Sequence, residues 1–396
     1  MNTTRRHDID ALRALAFSLL ILYHVGMFYV SWDWHVKSAY IATWLEPLMI
    51  FLNQWRMPLI FVISGLALNF LMTSREVAGS GRKLASSRTR RLLPPLLFGM
   101  LIIVPPQAYF EALSNNATPS GYGEFLVRYF TFHEWPENAF AGSSNGMTWN
   151  HLWYLPYLLL YSLLAIPLLS EHGRLAGIRR YWCARRSLSL YLLPVLFLLP
   201  IGLWVFPRFP YIRHDLISDF YAHAMFGTFF FLGVLTGRNE GLWQEIARLR
   251  FVSVGLGIAT FTAYRLVPVI AADDPTFAFN ALWSFVTYLN RWTWILVVFG
   301  FAHQHLNRPM GWLRYANRAV FPWYVFHQSV TVVAGALLSR LALGPVIEPV
   351  LVIGMTVLGC VVLMWLVERL LPWLSPLVGL KRRQPTSTAA GSPVGV

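Results

Sequence analysis

Apolar runs long enough to cross roughly 30 Å of hydrocarbon recur ten times along the chain, at residues 10–31, 45–72, 92–112, 150–170, 188–206, 219–237, 251–271, 279–302, 319–339 and 346–371. Short polar segments rich in arginine separate them. The pattern predicts an all-α polytopic membrane protein, with about ten transmembrane helices in one bundle. The cations test that reading. If the N-terminus is inside, the inner segments hold 22 of the 32 Lys and Arg. The outer segments hold only Lys37, Arg128, Arg208, Arg213 and Arg340, while Arg13, Arg56, Arg265, Arg291 and Arg369 fall within spans. By the positive-inside rule both the N- and C-termini are then cytoplasmic. Residues 1–375 read as one membrane-embedded domain and 376–396 as a disordered cytoplasmic tail, small and polar from Gln384 onward. Arg5 and Arg6 precede an apolar run with no small-residue cleavage site after it, which predicts a retained first span rather than a signal peptide.

Composition sharpens the class. The chain is 56% hydrophobic and only 13% charged, with a mean hydropathy of +0.50, far more apolar than a soluble domain of this length. A net charge of +14 would suit nucleic acid only if it formed a basic face. It is spread over many loops, so it reads as topology, and no nucleic-acid partner is expected. Cys183 and Cys360 lie far apart without metal-ligand spacing, so neither a disulfide framework nor a metal site is expected.

Ionisable groups inside spans carry the functional signal. In the first span, at 100° per residue, Asp10, Arg13 and His24 share one stripe. Arg13 and His24 are about 16 Å apart along the axis, so Arg13 sits near the inner surface and His24 in the outer half of the bilayer. Arg13 reads either as an anchor snorkelling to headgroups or as a ligand for an anion. Asp10 is either a helix N-terminal charge or its partner. A deep histidine must be satisfied by a carbonyl or be functional. Arg56, Arg291 and Arg265 fall roughly 14, 15 and 9 Å below the outer surface by the same rise, in the layer of His24. Glu368 and Asp219 lie too near their span ends to pair with all three. An anionic substrate group in a wet cavity, or neutral hydrogen-bonding neighbours, would satisfy them.

Arg88-Thr-Arg90-Arg91 precedes the third span and suits either lipid anchoring or a phosphate-bearing coenzyme at the inner mouth. On the outer side, Trp32, Trp34 and His35 share one loop, while Trp135, Trp149 and Trp153 flank another beside His151. These rings serve either as an interfacial belt or as platforms for sugars. His327, in Phe326-His-Gln328, is a further mid-span histidine.

Taken in order, Arg13 and His24 with ten residues between them, the Arg88/Arg91 pair, His-Leu-Trp-Tyr at 151–154 and Phe-His-Gln at 326–328 resemble the acyltransferase-3 family of bacterial inner-membrane O-acyltransferases. The similarity reaches to about residue 375 and is greatest to the glucan-biosynthesis branch, which includes glucan succinyltransferases. The resemblance implies transfer of an acyl group, acetyl or succinyl, from cytoplasmic acyl-CoA to a hydroxyl of an extracytoplasmic glycan or glycolipid. Acyl-CoA would be a co-substrate, with no cofactor permanently bound. It assigns His24 as the essential histidine, Arg13 as the motif arginine, and Arg88 and Arg91 as the paired arginines.

A neutral imidazole at His24 can take the proton of an attacking sugar hydroxyl, with Asp10 or another group orienting the ring. Arg13, Arg88 and Arg91 would hold coenzyme phosphates. Arg56, His151, Trp153, Arg291 and His327 are the candidate substrate contacts, and Arg56, Arg265 or Arg291 would recognise a carboxylate on the transferred group. The competing class is a proton-coupled carrier of small molecules or glycolipids, which also needs a charged, water-lined stripe. The sequence leaves open the acceptor, the acyl group, an acyl-enzyme step and whether the chain works as a homo-oligomer.

Overall fold

The computed structural model describes residues 5–72, 80–117, 121–132, 134–168, 175–270 and 276–380. Among them every regular element is helical. The fourteen α-helices are α1 (His7–Met27), α2 (Glu46–Met72), α3 (Gly81–Phe98), α4 (Val104–Ser114), α5 (Tyr122–Phe130), α6 (Tyr154–Leu168), α7 (Leu175–Cys183), α8 (Leu188–Pro200), α9 (Phe220–Thr236), α10 (Glu240–Arg248), α11 (Arg250–Ile270), α12 (Phe277–Leu306), α13 (Leu313–Leu338) and α14 (Ile347–Arg369).

Each of the ten apolar windows falls on helix, but eight described helical stretches are long and apolar enough to cross a bilayer, nine if α9 and α10 count as one. The difference from ten has local causes. The window at 150–170 opens with a 3-10 turn, Asn150–Trp153, leaving α6 with 15 residues. The window at 219–237 yields the 17 residues of α9, after which the chain bends by 113° into amphipathic α10. A 3-10 segment, Pro372–Val378, packs against the bundle and crosses the expected start of the tail at 376. The remainder of the tail, with Lys381, Arg382 and Arg383, lies outside the described residues, as do Arg75 and Arg174.

Proline shapes two of the spans. Between α3 and α4, Gly99–Ile103 forms a π-helical turn just ahead of Pro105-Pro106. A proline inside a helix lacks its amide donor and crowds the carbonyl four residues back, and a widened turn relieves the clash. A second π turn, Ile201–Val205, follows Pro200 at the end of α8.

Helices α2 and α9 touch backbone to backbone. A Cβ on Gly65 would lie 2.0 Å from the Phe230 carbonyl oxygen, and one on Gly233 2.0 Å from that of Val62. Such small-residue contacts are how helices pack where lipid gives no hydrophobic drive. The outer faces of α11 and α14 expose Phe251, Ile258, Val269, Val350, Leu358 and Trp365, a surface suited to hydrocarbon and not to water. The centre of the bundle, between α1, α2, α6 and α13, is hollow.

Candidate active site

The hollow is a chamber of about 1670 Å³. Phe17, Tyr154 and Tyr324 floor it, and segments around residues 135–149 and 212–217 roof it. The floor is tied together: the Ser64 and Tyr154 hydroxyls hydrogen-bond, and the Tyr324 hydroxyl donates to the His151 carbonyl at 2.8 Å. His24, in the last turn of α1, lines the chamber with Trp34 beside it, ring centroids 5.3 Å apart. Its Nδ1 lies 2.9 Å from Nε2 of His327 on α13, which is fully buried.

Arg56, from α2, lines the same wall. It is 6% exposed, and its guanidinium lies 3.4 Å over the Tyr23 ring. Its Nε and Nη1 have no hydrogen-bond partner, and neither does Oε1 of the adjacent, buried Gln54. Buried polar groups are rarely left unpaired, so these point to a ligand. Arg291 stands on another wall, its Nη1 donating to the Tyr221 hydroxyl at 3.1 Å while Nε is unpaired. His151 donates from Nε2 to the Val325 carbonyl at 3.1 Å, leaving Nδ1 without a partner. Trp153 stacks on His214 of the roof, ring centroids 4.3 Å apart. Five sequence candidates thus meet at one chamber: His24, Arg56, His151, Trp153 and Arg291. His327 touches His24 from behind.

Two expectations are corrected. Asp10 does not orient His24. Fourteen residues along α1 put it about 21 Å away, where it accepts from Arg5 at 2.8 Å and lies 3.8 Å from Arg13. The ring contact belongs to His327. Arg265 is exposed on α11 and does not line the chamber.

A second polar network escaped the sequence reading. His35 Nδ1 lies 2.5 Å from Glu111 Oε2, and Gln328 donates to His35 Nε2 at 2.8 Å and to Asn150 Oδ1 at 3.0 Å. It ties the loop after α1, helix α4 and helix α13 together beside the two histidines that precede Gln328 and follow Asn150. The signal was present, since Glu111 is an acid inside the third apolar window.

At the end of the bundle that carries the N-terminus of α1, Arg13 donates to Asn317 Oδ1 at 2.5 Å and Arg88 donates to Ser162 Oγ at 3.2 and 3.1 Å. Both guanidiniums lie in electrostatic reach of the Tyr154 hydroxyl, just beneath the chamber. Arg88 is buried, whereas Arg91 opens into a cleft of about 830 Å³ with Arg82, Lys83, Arg90, Ser86 and Ser87. Three residues apart on α3, the two arginines stand about 60° from each other on one helix face, with Arg88 turned in to Ser162 and Arg91 toward the cleft. Arg91 remains close enough to Arg13 to repel it.

The family model of the acyltransferase domain (acyltransferase-3) matches residues 6–365. The chain belongs to this family. It is a multi-pass membrane acyltransferase. It is 24% identical over 349 residues to glucans biosynthesis protein C of Escherichia coli O139:H28 (strain E24377A / ETEC), covering 85% of this chain and 84% of that protein. Glucans biosynthesis protein C of Escherichia coli strain K12 and of Shigella dysenteriae serotype 1 (strain Sd197) are similar to the same degree, 24% over 348 residues each. No solved structure matches the chain.

Proposed function

We propose that this acyltransferase spans the bacterial inner membrane ten times with both termini cytoplasmic, and moves an acetyl or succinyl group from cytoplasmic acyl-CoA to a hydroxyl of a periplasmic glucan. The glucan acceptor follows the names of the relatives. The observation that carries the chemistry is that His24 and Arg56 line one chamber whose floor adjoins Arg13 and Arg88.

Arg91, with Arg82, Lys83 and Arg90, holds the phosphates of the donor in the basic cleft, where no acid competes among the described lining residues. Arg13 and Arg88 line the way past Tyr154, and the arm of the donor brings the thioester up the first-helix stripe. The acceptor enters under the roof, between Trp149 and Trp153. His24 takes the proton of the hydroxyl as its oxygen attacks the thioester carbon. The charge that develops on the carbonyl oxygen falls to Arg56, because Arg56 is in electrostatic reach of His24. Collapse breaks the C–S bond, and the thiolate recovers the proton from His24. Arg291, on a more distant wall, meets the free carboxylate of a succinyl group.

The test is thiol release from acyl-CoA by the purified protein in lipid nanodiscs, with and without a glucan acceptor. Release should require the acceptor and fall by ~10²–10⁴-fold in His24→Ala. A proton-coupled carrier would neither release thiol nor gain thermal stability from coenzyme A, and that pair of results would overturn the proposal.

A further inference from the structure

The two ring nitrogens of His24 are not equivalent, and the atoms around His327 decide between them. His327 Nδ1 lies 2.9 Å from the Tyr324 carbonyl oxygen and 3.2 Å from that of Trp323. A carbonyl only accepts, so this nitrogen carries a proton. No carboxylate contacts the ring among the described residues, and the side chain is 0% exposed. An imidazolium buried there without a counter-charge would be costly, so the ring is neutral and its Nε2 holds a lone pair. His24 Nδ1, 2.9 Å away, must therefore be the donor. The two rings are parallel to within 6° with centroids 5.1 Å apart, which suits an N–H pointing along the in-plane lone pair of its partner. One nitrogen remains, His24 Nε2, and it is left without a proton.

We infer that His327 is a positioning residue: with the Tyr324 carbonyl behind it, it fixes His24 in the tautomer whose base is Nε2. The inference rests on the proposed role of His24 and deepens it. When the acceptor O–H bond breaks, its proton goes to His24 Nε2 as the new C–O bond forms, and the positive ring is steadied by His327 through the Nδ1–H it already donates. When the C–S bond breaks, the same proton leaves Nε2 for the thiolate and the pair returns to its starting state. A neutral histidine here occupies the place that a carboxylate holds in a Ser-His-Asp triad. The base is thus oriented without a second buried charge.

Nitrogen-15 spectroscopy of the histidine-labelled full chain in lipid tests this, with His24→Ala and His327→Phe as difference samples. The His24 ring should show a protonated Nδ1 and a bare Nε2 in the wild type, and a tautomer mixture in His327→Phe. Thiol release by His327→Phe should drop ~10²-fold in kcat, below the ~10⁴-fold seen when a triad histidine loses its orienting partner, with KM for acyl-CoA nearly unchanged. His327→Gln, whose side-chain oxygen can accept the same proton, should recover about tenfold of that loss. A wild-type His24 protonated at Nε2, or a His327→Phe protein with unaltered spectrum and kcat, overturns the inference. If instead His24→Ala keeps full activity, the proposed function of His24 fails while the spectrum still reports the tautomer.

Discussion

Replacing Arg56 with Met separates catalysis from stability. Met keeps the length and apolar stem of the side chain but removes the guanidinium. The contact over Tyr23, at 3.4 Å, is worth about 0.5–2 kcal/mol, and that is lost. Against it, the wild type keeps two N–H groups, Nε and Nη1, buried without partners, each costing about 1–3 kcal/mol. Removing both offsets the lost contact, so the variant should be as stable as the wild type or more so. Catalysis should move the other way. Losing a donor to a developing oxyanion costs ~10²–10³-fold in kcat, or about 2.7–4 kcal/mol. Thermal unfolding in detergent and single-turnover thiol release from acetyl-CoA measure the two quantities on one preparation. A variant with lower Tm and activity within a few-fold of wild type would refute the assignment, because Arg56 would then be a structural cation.

Arg291→Gln should reduce transfer of a succinyl group at least tenfold more than transfer of an acetyl group, read as paired kcat/KM values; equal losses would place the carboxylate elsewhere. Gly233→Ala forces a Cβ to 2.0 Å from the Val62 carbonyl oxygen and should cost about 1–3 kcal/mol or more of stability. Gly255→Ala, in open space on α11, should hold or raise the Tm, so similar losses for both would contradict tight α2–α9 packing.

The depth of polar residues was legible in the sequence because lipid makes each one expensive. His24, Arg56 and Arg291 were found from span position alone, and the chamber joins them. Pairing was not legible, because it depends on how helices rotate against one another. The stripe made Asp10 a plausible neighbour of His24, yet axial rise separates them and the contact comes from His327, 303 residues away. Arg88 and Arg91 hold neighbouring positions on α3, and only the packing of α3 on α6 shows that the first reaches Ser162 while the second lines the cleft. Glu111 was overlooked because it stands at the end of an apolar window, where an acid reads as a loop residue, although α4 carries it into the core beside His35. Span number was blurred by a 3-10 turn and a sharp bend, neither of which changes hydropathy.

The most direct measurement is mass spectrometry of envelope glucans from cells making the wild-type protein, no protein, or His24→Ala. An acyl mass increment should be present in the first and missing from the other two, with the His24→Ala protein still folded in the membrane. Glucans that keep the increment in His24→Ala cells and lose it only when the protein is absent would show that the chemistry does not pass through this histidine.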